Sequence, residues 1–85
     1  MKRIELKQIL ENDTEKGKRY FRLYPTLYRD LLVWEDYLCL VKVKKAAKIR
    51  APKGRARNEI LEAWNMGENT FYIIHRTLRD LCEDV

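Results

Sequence analysis

The stretch Pro25-Thr26-Leu27-Tyr28-Arg29-Asp30-Leu31-Leu32-Val33-Trp34-Glu35-Asp36-Tyr37-Leu38-Cys39-Leu40-Val41-Lys42-Val43 decides the fold class. Leu27, Leu31, Trp34, Leu38 and Val41 recur at intervals of three and four, the spacing of one face of a helix. Pro25 suits the first helical position, where its missing N–H leaves nothing unpaired. A long helix over Pro25 to Ala47 is therefore expected. Between Leu31 and Val43 ten of thirteen positions are apolar, so Leu32, Val33, Leu40 and Val43 fall outside the main stripe. A helix that is apolar nearly all round has to be covered on several sides. An 85-residue chain has little left to cover it, and those four residues are read as the interface of a homodimer. The alternating Val41-Lys42-Val43-Lys44 leaves open a short strand paired with Arg19 to Tyr24.

Working outward, Leu6, Ile9 and Leu10 place a first short helix over Lys2 to Asn12, ended by Asn12-Asp13-Thr14 and Gly17. Arg19 to Tyr24 is aromatic-rich and precedes a proline, which favours extended backbone. Toward the C-terminus, Ala51-Pro52-Lys53-Gly54 reads as a break. Helical segments follow over Arg57 to Trp64 and Glu68 to Glu83. The expectation is a mainly α single domain of about four helices. Its parts are N-terminal helices with the dimerisation helix over 1–49, a basic connector over 50–56, and a helical pair over 57–85.

Composition removes most enzyme classes. There is no serine, one histidine (His75), and only three glycines, all isolated, so no serine nucleophile or glycine-rich phosphate loop can be assembled. Cys39 and Cys82 lack the paired spacing of structural zinc sites and read as reduced core thiols. No metal, cofactor, catalytic residue or small-molecule substrate is expected, and His75 reads as a packing residue or phosphate contact. With neither a membrane span nor a secretory leader legible in it, the sequence fits a cytoplasmic protein.

The net charge of +5 is unevenly placed. Eight of the 18 basic residues fall within 42–57, a window without acid, and the remainder carries 10 basic against 13 acidic residues. Such a block suggests a polyanionic partner, with a solvated surface as the plainer alternative.

The run from Ile60 to Leu78 holds Asn65-Met66-Gly67, then Thr70-Phe71-Tyr72. Asn is the non-glycine residue that best tolerates a left-handed backbone, and Gly is accepted as an N-cap. Phe71, Ile74, Leu78 and Leu81 repeat as a buried face, leaving Asn69, Tyr72, Ile73, Arg76 and Asp80 outward. This run resembles the helix-turn-helix of small bacterial and phage DNA-binding regulators. The resemblance implies Asn65 as the left-handed residue, Met66 as the plug of the turn, Gly67 as the cap, and a core of Ile60, Trp64, Phe71, Ile74 and Leu78. Leu61 occupies a position where the family carries a small residue, which sets the two helices wider apart. It further implies sequence-specific binding of double-stranded DNA by a homodimer acting in transcription. Asn69, Tyr72 and Arg76 would contact bases. Lys53, Arg55, Arg57, Thr70 and Arg79 would contact phosphates. A protein-interaction adaptor and a small RNA-binding protein, with Tyr20, Phe21 and Tyr24 stacking on bases, are the alternatives.

Overall fold

A computed structural model describes residues Met1–Val85. Five helices follow in order: α1 (Arg3–Glu11), α2 (Glu15–Leu23), α3 (Leu27–Ala46), α4 (Pro52–Ala63) and α5 (Glu68–Leu81). There are no strands, so the hairpin alternative is excluded, and the count is one above the expected four. No helix is long and apolar enough to cross a membrane.

The additional helix is α2, whose residues from Arg19 onward the sequence reading expects to be extended. Thr14 starts it, its Oγ1 accepting a hydrogen bond from the Gly17 N–H at 3.2 Å, and Glu15 complements the positive end of the helix in the first turn. The restriction imposed by Pro25 reaches only the residue before it. Tyr24 alone leaves the helix, at φ −135° and ψ 82°. Pro25 itself precedes the N-cap Thr26 of α3 rather than occupying its first turn.

The basic connector also proves shorter than the sequence suggested. Ala51 takes the left-handed region at φ 50°, and Pro52 is the first residue of α4, where proline is preorganised for the helix rather than breaking it. Lys53 to Arg57 are thus helical, and the link is confined to residues 47–51. Two turns repeat one hydrogen-bond pattern. After α3 the N–H groups of Lys48 and Ile49 donate to the carbonyls of Lys45 (3.0 Å) and Lys44 (2.9 Å); after α4 those of Asn65 and Met66 donate to Glu62 (3.2 Å) and Leu61 (3.0 Å). Each is a Schellman-type helix end, with a left-handed residue at φ 56° (Lys48) and φ 49° (Asn65).

α3 is the axis of the molecule, with α1, α4 and α5 packed against it and α2 against α1. One core joins Leu6 and Leu10 of α1 to Leu27, Leu31, Val33 and Trp34 of α3, Ile60 of α4, Phe71, Ile74 and Leu78 of α5, and Cys82. Leu81, expected in the buried face, is half-buried, and Cys39, expected in the core, is exposed. The termini are clasped together. The Glu83 N–H donates to the Met1 carbonyl at 2.9 Å, and the Arg3 N–H donates to Asp84 Oδ1 at 2.9 Å. Burial opposes the charge on Asp84, but the Arg3 backbone N–H and guanidinium outweigh it and hold the carboxyl below its ordinary value.

Gly17 and Gly54 both lie within helices, and their surroundings call for opposite responses to alanine. A Cβ at Gly17 would sit 2.6 Å from the Ile9 carbonyl oxygen, whereas one at Gly54 meets nothing within 4 Å. Gly54→Ala is expected to stabilise by about 0.5–1 kcal/mol, because the helix loses less backbone entropy. Gly17→Ala has to push α1 and α2 apart and is expected to destabilise by about 1–2 kcal/mol. Urea midpoints of the two variants check the signs; a stabilised Gly17→Ala would mean that α2 does not approach α1 this closely.

Candidate nucleic-acid interface

The turn between α4 and α5 places the outward face of α5. Asn65 turns the chain in the left-handed region, and Gly67 caps α5 from an extended conformation, φ −87° and ψ 165°, without a side-chain hydrogen bond. Asn65→Gly is expected to stabilise by a few tenths to about 1 kcal/mol, since glycine adopts that backbone without a Cβ conflict. A thermal melt decides: a loss of several degrees would mean residue 65 is not held left-handed.

With Phe71, Ile74 and Leu78 buried, the other face of α5 presents Asn69, Tyr72 and Arg76. They line one shallow surface depression with Ile73, His75 and Arg79. Tyr72 and Ile73 are 48% and 52% exposed. Arg76 and Arg79 have no carboxylate partner. The three proposed base contacts are therefore gathered on one accessible surface.

The proposed phosphate contacts divide. Arg57 of α4 donates from Nη1 to the Tyr72 hydroxyl at 2.8 Å and pairs with Glu68 at 3.8 Å, which ties the middle of α4 to the first turns of α5. Lys53, one turn earlier on the same flank, is exposed and unpaired. Arg55 lies about 200° round the helix from both, on the side away from α5. Thr70 is half-buried in the first turn of α5. Within the basic block Lys44 is buried and bonded to Glu59 Oε1 at 2.9 Å, so it serves the α3 to α4 packing.

His75 lies on the margin of the same surface, stacked on Trp34 with ring centroids 4.6 Å apart and planes 6° apart. Burial, and then the neighbouring Arg79, hold its imidazole below the ordinary value, which favours the neutral form over a cationic one. Tyr37 also stacks on Trp34, with ring centroids 4.8 Å apart. Trp64 is half-buried rather than enclosed, its indole N–H donating to Asp36 Oδ2 at 3.3 Å. No group of three or more metal-ligating side chains occurs.

The face of α3 read as a dimer interface is altered in part. Val33 is fully buried in the chain's own core and Leu40 packs against that core. α3 is covered by helices on more than one flank, so its buried arc is wider than the stripe of threes and fours. Leu32 is half-buried, while Val43 is 57% exposed and Cys39 is exposed. These three positions fall within about 40° on the helix.

The chain matches no protein-family model, no curated protein and no solved structure.

Proposed function

We propose that this chain binds double-stranded DNA sequence-specifically as a small helix-turn-helix regulator of transcription, with α5 in the major groove. The observation that carries the reading is the turn at Asn65 followed by Asn69, Tyr72 and Arg76 on one accessible face, with unpaired Arg76 and Arg79 among them. Asn and Arg are the side chains that pair in bidentate fashion with adenine and guanine edges. Lys53 and Arg57 flank that face and, with Thr70 and Arg79, meet the phosphates. Arg55, on the far flank of α4, makes no contact with the same duplex.

The protein acts as a homodimer through the outward stripe of Leu32, Cys39 and Val43, without Val33. A two-fold arrangement presents two α5 helices to half-sites about one helical turn apart. Val43→Glu is the variant that separates the copies in sedimentation.

The test is binding of the purified protein to random duplex DNA, duplex RNA and single strands at two salt concentrations. Duplex DNA should bind tightest, and log K should fall with log salt. The combined Lys53→Ala and Arg57→Ala variant should reduce that slope by about 0.9 for each phosphate that is no longer neutralised. Preference for single strands or duplex RNA, or a slope unchanged in the variant, would overturn the assignment.

A further inference from the structure

Beside α5 lies a second concavity, a cleft of about 560 Å³ bounded by α3, α4 and α5, within the roughly 300–1,000 Å³ typical of small-molecule sites. Its lining combines two chemistries. Tyr37, Tyr72 and His75 contribute accessible ring surface above the buried Trp34 and Phe71; Lys45, Lys53 and Arg57 contribute cations; no Asp or Glu side chain reaches it, and Leu38, Val41 and Val85 complete the lining. Lys45 and Lys53 have no ion-pair partner. Trp34 is 5% exposed, and its indole N–H has no hydrogen-bond partner, in an interior where nearly all such groups are paired. A phosphate backbone alone would use the cations and leave the rings idle. A neutral apolar molecule would use the rings and leave Lys45 and Lys53 desolvated without compensation.

We propose that this cleft binds a small planar aromatic molecule carrying an anionic group, its ring on the aromatic lining and its anion among Lys45, Lys53 and Arg57. A nucleoside monophosphate and an aromatic carboxylate share that chemistry. Lys53, Arg57 and Tyr72 belong both to the cleft and to the proposed DNA face, so an occupant and a duplex exclude one another. That consequence rests on the DNA reading, whereas binding itself does not.

Binding is accordingly measured by calorimetry without DNA, with adenosine monophosphate and indole-3-carboxylate as probes. Adenosine and indole supply the rings without charge, and inorganic phosphate and acetate the charge without rings. At least one probe should bind tenfold or more tighter than its uncharged ring and its bare anion. Lys45→Ala should weaken it at least fivefold. Gly54 also lines the cleft, and a Cβ there meets nothing within 4 Å, so Gly54→Leu fills the space while keeping α4 folded. That variant should lose binding and melt no lower than the unmodified protein. Neither probe exceeding its two fragments, or undiminished binding in a folded Gly54→Leu, would overturn the proposal. If duplex binding fails while a probe binds and Gly54→Leu abolishes it, the cleft stands and the DNA reading falls; displacement of duplex by the bound probe tests the link between them.

Discussion

Trp34→Ala is expected to remove much of the stability of this protein. Trp34 is buried on α3, stacks with Tyr37 and with His75, and meets Phe71 at 5.6 Å, so it joins the middle of the chain to α5. Truncating a buried tryptophan costs about 3–5 kcal/mol, partly through the cavity left behind. A domain of this size has total stability on the order of 5–10 kcal/mol. The melting temperature should fall by roughly 15–30 °C. Trp34→Phe should be milder, because it also removes an unpaired indole N–H whose burial costs about 1–3 kcal/mol. Melts followed by far-ultraviolet circular dichroism measure both. A fall of less than about 5 °C for Trp34→Ala would show that α5 is held to α3 without this ring.

Arg76→Ala is expected to have the largest effect on recognition. Arg76 is exposed, free of ion pairs, and placed with Asn69 and Tyr72. A bidentate arginine to guanine contact is worth about 1–3 kcal/mol of discrimination, a loss of roughly 5- to 150-fold in affinity on a duplex selected for tight binding. On random duplex the loss should be much smaller. Arg79→Ala, at a phosphate, should weaken both duplexes alike. Equal losses from Arg76→Ala on the two duplexes would make Arg76 a phosphate contact, and no loss on either would remove α5 from the interface.

Much of this architecture is legible in the residues. Leu27, Leu31, Trp34 and Val41 mark α3 by period, as Phe71, Ile74 and Leu78 mark α5, and all are buried. Asn65 announces its left-handed turn because asparagine tolerates that backbone. Lys48 and Ala51 take the same region, but neither residue type signals it, so the link between α3 and α4 reads as longer than it is. Pro52 and Gly54 are punctuation in sequence yet open a helix in the structure, because the residues beyond them supply Ala56 and Ile60 to the core. Tyr20 and Phe21 read as extended because the influence of Pro25 is easily carried too far back along the chain, while the cap at Thr14 is the stronger local term. Val33 is buried by helices distant in sequence, which no periodicity within α3 discloses. The separation of Arg55 from Lys53 and Arg57 follows only from the helical conformation of that segment. The cleft draws Lys45, Lys53 and Tyr72 from three helices, and a juxtaposition of that kind exists only in the folded chain.

Titration of isotopically labelled protein with a selected duplex, followed by amide chemical shifts, tests most directly that α5 is the DNA-reading helix. The expected result is that the largest shifts fall on Asn69, Tyr72, Arg76 and the flanking Lys53 and Arg57, with α1 and α2 little changed. Shifts concentrated on Lys16 to Tyr24, or a spectrum unmoved by the duplex, would contradict it.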